Sequence, residues 1–301
     1  MSKNNIAPSE LILNSDGSIY HLHLKPGELA KTILTVGDQN RVEAVSKHFD
    51  SIEIKRQHRE FTTHTGYIGE KRLSVISTGI GTDNIDIVFN EIDALFNIDL
   101  QERKVVEEPV SLDFIRIGTS GCIQKDIELD SFLFTEFSVG LDNLFTFYES
   151  VTNQKTINIQ TDFQDFCARS GTPRYATVWN KGSEFLMDHL KKESDLKGVT
   201  LTCPGFYGPQ GRQLRLNSKL NPFLDALSHF KSGEHRFTNF EMETSGIYGM
   251  SHLLGHRALS CNAILANRVN GTFSEQPQAT IDRLIVQVLE GLVSIDSTDS
   301  V

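Results

Sequence analysis

Short β-rich runs alternate with amphipathic helical patterns along almost the whole chain, and this alternation limits the fold more than any other feature of the sequence. Strand-like runs lie at 33–36, 73–77, 114–117, 176–179, 199–203 and 258–266, with helical patterns at 41–49, 84–96, 184–191, 240–254 and 279–294. Strands separated by helices need crossover connections, so the pattern reads as α/β: a single domain with a central mixed β-sheet flanked by helices. A hairpin, 61–68 and 73–77 joined across Gly69-Glu70-Lys71, is inserted in that pattern. No internal repeat, low-complexity tract or Pro/Gly/Ser linker divides the chain. The expected organisation is an N-terminal extension over residues 1–18 and one domain over 19–301. The polar segment 97–112 (NIDLQERKVVEEPVSL) reads as a surface excursion.

Composition narrows the partners. With 301 residues and 39% apolar content the chain can bury an enzyme-sized core. Its net charge of −10 and pI near 5.5 argue against a nucleic-acid or anionic-membrane surface, either of which favours a basic face. An anionic ligand must then be held by a local arginine cluster. The four cysteines, Cys122, Cys167, Cys203 and Cys261, include no C-x-x-C pair, which fits buried reduced thiols and a cytoplasmic location. The chain begins MSKNNIAPSE, polar throughout, and no stretch reaches the roughly 18 apolar residues of a membrane span, so neither a secretory leader nor a span is expected.

Within this frame several strand ends carry glycine and arginine together. In Phe114-Ile115-Arg116-Ile117-Gly118-Thr119-Ser120-Gly121 an apolar run with one arginine enters what reads as a Gly-Thr-Ser-Gly turn. Free N–H groups, two hydroxyls and a guanidinium suit a phosphate, although an arginine there serves equally as a salt-bridge partner. Val36-Gly37-Asp38-Gln39-Asn40-Arg41 repeats the arrangement, with Asp38 also a candidate helix N-cap. Gln57-His58-Arg59-Glu60-Phe61 puts an arginine at a strand start, where it could also pair with Glu60. Thr78-Gly79-Ile80-Gly81-Thr82-Asp83-Asn84 is a further strand-to-helix turn with Asn84 as its candidate N-cap.

The loop Gly205-Phe206-Tyr207-Gly208-Pro209-Gln210-Gly211-Arg212 offers a stacking face, an amide and a bidentate donor, which together suit a planar heterocycle, or it is a structural loop. Thr238 and Glu241 have the spacing of a capping box opening a helix, which leaves Glu243 free to face a ligand. His21-x-His23, read as a strand, lacks a third ligand, and His252 and His256 straddle Gly255, a helix C-cap; no metal is expected.

Taken in order, these segments resemble the nucleoside phosphorylase superfamily, and within it the uridine phosphorylase branch. The anchors are Tyr20-His21-Leu22, Val36-Gly37-Asp38 with Arg41, His58 to Thr63, Ser77 to Gly81, Ile115 to Gly121, Phe206-Tyr207 with Gln210 and Arg212, Glu241-Met242-Glu243, and Asn267-Arg268. The resemblance implies phosphate among Gly37, Arg41, Arg116 and Thr119, with Arg59 reaching in from a neighbouring subunit. It implies ribose against Met242 and Glu243 with the neighbour's His21 at the 5′-hydroxyl. The base would meet Phe206, Gln210 and Arg212, with Arg268 nearby. The implied activity is phosphate-dependent cleavage of a pyrimidine nucleoside, uridine foremost, to free base and ribose 1-phosphate by a homo-oligomer, with phosphate as co-substrate and no cofactor.

A purine enzyme or nucleosidase, or a non-catalytic nucleoside binder on the same scaffold, are the alternatives. The family's acid for purine N7 would fall at Ala266-Asn267-Arg268, which holds none. Gly37-Asp38-Gln39 departs from the family's Gly-Asp-Pro and loosens the turn that presents Arg41; Gly81-Thr82-Asp83-Asn84 departs from its Gly-Gly-Pro-Ser and argues against a monovalent-cation site that would include Glu60. Arg116→Ala is expected to abolish turnover while leaving the fold largely intact.

Overall fold

The computed structural model describes residues 5–149, 154–172 and 175–295; both ends of the expected 1–18 and 19–301 division lie partly outside these residues. The strands are β1 (Thr32–Val36), β2 (Ser51–His58), β3 (Phe61–Ile68), β4 (Lys71–Ser77), β5 (Ile98–Asp99), β6 (Lys104–Val105), β7 (Asp113–Cys122), β8 (Phe132–Gly140), β9 (Val178–Lys181), β10 (Leu196–Thr202), β11 (Phe237–Glu241), β12 (Arg257–Asn267) and β13 (Thr272–Phe273). The helices are α1 (Gln39–Ser46), α2 (Thr82–Asn97), α3 (Ile157–Ser170), α4 (Glu184–Leu190), α5 (Asn221–His229), α6 (Thr244–Leu254) and α7 (Pro277–Ser294).

One mixed sheet runs β13-β12-β8-β10-β11-β7-β1-β4-β3-β2, and an additional parallel pairing joins β12 to β7. Strands β7, β11, β10, β8 and β12 therefore close into a ring, from which β1, β4, β3 and β2 extend as a flap. The α/β reading with a mixed sheet holds; the closure is a property of long-range pairing that no local pattern reports. The hairpin of β3 and β4 forms as expected, and β2 adds a second antiparallel pair to it.

Period-two alternation in β7 sorts its side chains between two cores. Ile115 and Ile117 point toward α1, α4 and α7 and pack with Leu34, Val36, Leu284 and Val288. Phe114 points the other way, stacks on Phe89 at 4.2 Å and joins Ile85, Ile247 and Tyr248 under α2 and α6. Arg116 shares the Phe114 face, so the same alternation that buries this strand aims a guanidinium at the start of α6. Each fully buried aliphatic side chain here contributes roughly 1.5–3 kcal/mol, enough to hold the arginine's strand rigid.

Four local expectations are corrected. The Gly-Thr-Ser-Gly segment is no turn: Gly118 to Cys122 continue β7 and pair with Asn262 to Asn267 of β12. Gly118 is required for room, since a Cβ there would lie 1.8 Å from Arg116 Nη1. Residues 240–254 are not one helix, because β11 runs to Glu241 and α6 begins at Thr244; Thr238 sits inside β11 and donates to the Val199 carbonyl. Asn84 is not the N-cap of α2; Gly81, at φ 95°, holds that position, and Asn84 packs against Gly79 within the first turn. His21 lies in a turn and His23 just beyond it at φ 56°, neither in a strand.

The Asp38 N-cap and the left-handed Gly255 C-cap are as expected. Segment 97–112 folds back as the β5–β6 hairpin, and it ties down the chain before β1: Ile6 N–H donates to the Arg103 carbonyl, and Arg103 Nη1 to that of Leu11. Among the described residues no helix is long and apolar enough to cross a membrane.

Tyr248 joins α6 to the ring. Its buried hydroxyl donates to the Thr135 carbonyl at 2.7 Å and accepts from Ser260 N–H at 2.9 Å. Tyr248→Phe strands both backbone groups in the interior, so we expect a loss of about 1–3 kcal/mol, read as a lower urea midpoint with an unchanged m-value. A midpoint equal to the parent's contradicts this assignment.

Candidate active site

The ring, the flap and the loop after β10 meet around a cleft of about 680 Å³, within the range of small-molecule sites. It opens where strand ends β1, β4 and β7 face the loop before α6, the position at which α/β sheets commonly bind ligands. Gly37, Arg41, Arg116, Thr119, Met242 and Glu243 line it together with Phe206, Gln210 and Arg212. Nine of the twelve expected residues are thus in one place.

The floor is a buried charge cluster. Arg116 Nη2 donates to Glu243 Oε2 at 2.7 Å and lies 3.1 Å from Glu241 Oε2, while Nη1 donates to Asn262 Oδ1 at 2.8 Å. Burial opposes charge on Arg116, but the Glu241 and Glu243 carboxylates outweigh it and hold the guanidinium protonated. Glu243 is raised by desolvation and by repulsion from Glu241, against the attraction of Arg116. Its second oxygen accepts from Gly81 N–H at 2.9 Å and so fixes the β4–α2 loop to the site.

Glu241 does cap α6, though not through a capping box: Oε2 accepts from the N–H groups of Glu243 and Thr244, and Oε1 from Thr202 Oγ1. Its charge sits where the helix dipole favours an anion.

Above this floor Arg41 faces the cleft with a single hydrogen bond among the described residues, Nη1 to the Ile117 carbonyl at 3.3 Å. Burial and the proximity of Arg116 lower its pKa, and an anion between the two guanidiniums would relieve their mutual repulsion. Gly37 brings the β1–α1 turn beside Gly79, where a Cβ on Gly37 would touch the Gly79 carbonyl at 3.5 Å.

The far end is built from the loop after β10. Arg212 lies 3.6 Å over the Phe206 ring and donates to the Phe206 carbonyl at 2.7 Å and to Gln210 Oε1 at 2.5 Å. Arg268 Nη1 donates to the Gln210 carbonyl at 3.2 Å; it braces the loop from behind rather than lining the cleft. The apolar walls at this end are Phe240, Leu265, Ala266 and Phe273, of which only Ala266 was expected beside the base. Asn267 faces away and caps the loop after β12, donating to the Gln124 and Ile127 carbonyls and accepting from Val269 and Asn270 N–H.

His21 and Arg59 do not line the chain's own cleft. They sit together on the flap: Arg59 occupies the β2–β3 turn at φ 55°, its guanidinium 5.3 Å from the centre of the Tyr20 ring rather than paired with Glu60, and His58 Nδ1 donates to the His21 carbonyl at 2.8 Å. The cysteines take no part. All four are buried and none lines the cleft, and burial pushes the Cys122 thiol up to about 11 and Cys203 and Cys261 higher still.

Comparison with known proteins agrees with this architecture. The model of the Phosphorylase superfamily matches residues 31–290. A uridine phosphorylase of Thermococcus kodakarensis is 30% identical over 86% of this chain and 81% of its own. A DeoD-type purine nucleoside phosphorylase of Bacillus cytotoxicus is 24% identical over 91% and 98%. A crystal structure of a Trypanosoma brucei nucleoside phosphorylase, described as showing uridine phosphorylase activity, superposes with a TM-score of 0.83 at 28% identity, covering 95% of this chain and 100% of that one. The chain is therefore a member of the phosphorylase superfamily, an enzyme of the pentosyltransferase, nucleoside phosphorylase type.

The expectation that Arg116→Ala leaves the fold largely intact is revised. Removing the guanidinium abandons two buried carboxylates, a change that typically costs about 3–5 kcal/mol. Gly118→Ala probes the same node from the other side. The new Cβ displaces Arg116, and we expect about 1–3 kcal/mol of destabilisation, measured as a fall in denaturant midpoint; unchanged stability contradicts the close packing of Arg116 on Gly118.

Proposed function

We propose that the enzyme cleaves pyrimidine nucleosides, uridine foremost, by attack of inorganic phosphate, releasing the free base and ribose 1-phosphate. The observation that carries this reading is the division of the cleft: Arg41, Arg116 and Thr119 on one side, and on the other the loop of Phe206, Gln210 and Arg212, which supplies a stacking ring, an amide and a guanidinium, with no acid in that loop or at Ala266-Asn267-Arg268. Purine release is helped by an acid that protonates the base. Uracil leaves as an anion, and fixed donors suffice.

In this reading phosphate sits among Gly37, Arg41, Arg116 and Thr119 and is itself the nucleophile. Its oxygen forms the new bond to C1′ as the C1′–N1 bond breaks, and the electron pair of that bond goes to the base. Positive charge develops on the ribose ring, which phosphate and Glu243 stabilise, with Met242 packing beneath the sugar. Gln210 and Arg212 donate to the departing uracil while Phe206 stacks on it. Cleft geometry replaces a protein nucleophile with alignment of two bound reactants, a source of large rate gains.

His21 and Arg59 complete the site of a neighbouring subunit, so the working unit is at least a dimer. Their shared position on the flap, outside their own cleft, supports this reading.

A panel of uridine, deoxyuridine, thymidine and inosine, assayed with and without phosphate, tests the assignment. We expect base release from the pyrimidine nucleosides that stops when phosphate is omitted; preferential release of hypoxanthine, or release that persists without phosphate, overturns it. Because Arg41 donates a single hydrogen bond among the described residues, Arg41→Ala is expected to lower kcat/KM for phosphate by about 100-fold or more with less loss of stability than Arg116→Ala. Mixing Arg41→Ala and Arg59→Ala chains, each nearly inactive alone, should restore about a quarter of wild-type sites by statistical pairing in a symmetric dimer. No restoration contradicts the shared site.

A further inference from the structure

The proposed contribution of His21 to a neighbour's site raises a question that the cleft does not answer: what holds an imidazole in a surface turn at a defined angle. Two backbone bonds close the turn, Ile19 N–H to the Leu24 carbonyl at 2.8 Å and His23 N–H to the Ile19 carbonyl at 3.1 Å, but they leave the ring of His21 partly exposed and unfixed. The hold on the ring comes from α2. Glu91 Oε1 lies 2.6 Å from His21 Nδ1 and accepts from His21 N–H at 2.9 Å, while Oε2 accepts from Leu22 N–H at 2.9 Å. One carboxylate thus grips both the ring and the backbone of the same turn. Among the described residues Glu91 has no other hydrogen-bond partner or ion pair, and its side chain is only 13% exposed.

We infer that Glu91 is a positioning residue for the reaction: by accepting from Nδ1 it fixes the imidazole so that Nε2 points outward, toward the 5′-hydroxyl of a nucleoside bound by the neighbouring subunit. This rests on the proposed role of His21. An ionised carboxylate only accepts hydrogen bonds, so His21 Nδ1 must carry hydrogen whatever the charge of the ring. The nitrogen left to interact with a ligand is Nε2 alone.

A hydrogen-bonded carboxylate behind an imidazole sets ring orientation and proton placement in many sites where histidine is the working group. Arg59 has its own seat in the β2–β3 turn, with its guanidinium over Tyr20, so Glu91 acts on His21 and not on the phosphate contact.

The inference predicts a change in substrate discrimination, which a purely structural role would not produce. Glu91→Gln keeps the size of the side chain but weakens a charge-assisted pair, and we expect KM for uridine to rise about tenfold with kcat within about twofold. Turnover of 5′-deoxyuridine, which lacks the hydroxyl, should be unaffected, so the preference for uridine collapses. Glu91→Asp should recover part of it, and in a His21→Ala background Glu91→Gln should have no further effect.

Equal losses on both substrates, or a preserved preference, overturn the inference. If the wild-type protein fails to cleave uridine with phosphate, the underlying functional reading fails instead. Independently of turnover and of any variant's folding, long-range ¹H–¹⁵N spectra of histidine-labelled wild-type protein should show His21 protonated at Nδ1; a bare Nδ1 removes the basis of the proposal.

Discussion

The buried contact of Arg116 with Glu241 and Glu243 is the interaction on which the rest of the site depends. It crosses the ring, joining β7 to the end of β11 and the start of α6, and through Gly81 it reaches the β4–α2 loop of the flap. Each partner has a second task. Glu241 caps α6, Glu243 holds the loop, and Arg116 is seated by Asn262 and by the missing side chain of Gly118. Two carboxylates and one arginine leave a negative excess at the floor, which Arg41 opposes from above. Breaking such a pair is costly because desolvated charge is left behind, so binding geometry and stability are coupled at this point.

That coupling explains why the sequence reading of the site was good on membership and poor on local structure. Nine residues named from motifs do meet in one cleft, because strand-end chemistry is written locally: glycine, arginine and hydroxyl within a few positions. The Gly-Thr-Ser-Gly segment read as a turn for the same local reason. Its glycine answers instead to a side chain two residues earlier on the same face and to the long parallel ladder with β12, neither of which has a local signature. Thr238 and Glu241 show the same limit: their spacing fits a capping box, yet β11 absorbs Thr238 and leaves Glu241 to cap from outside the helix.

Among the strands and helices that went unread, β2, β8, α3 and α5 have a comparable cause. β2 is largely exposed and alternates weakly, and β8 sits inside the ring, buried on both faces. Helices α3 and α5 cover the aromatic cluster of Phe163, Phe223, Phe230 and Phe237 beneath the cleft's far end, where burial against a partner element outweighs periodicity. The walls Phe240, Leu265 and Phe273 were missed because apolar residues in strands are ordinary core until the topology exposes them to a cavity. His21 and Arg59 could be named only by resemblance; their position on a flap stiffened by Glu91 and His58 is a result of three-dimensional packing.

The account's central claim is that phosphate, held by the arginine end of the cleft, is the nucleophile toward the nucleoside. The most direct measurement is ³¹P NMR of the purified protein turning over uridine in phosphate buffer. The account predicts a sugar-phosphate ester resonance, ribose 1-phosphate, growing in equal amount with uracil as inorganic phosphate declines. Uracil accompanied by free ribose, with the phosphate signal unchanged, would contradict it.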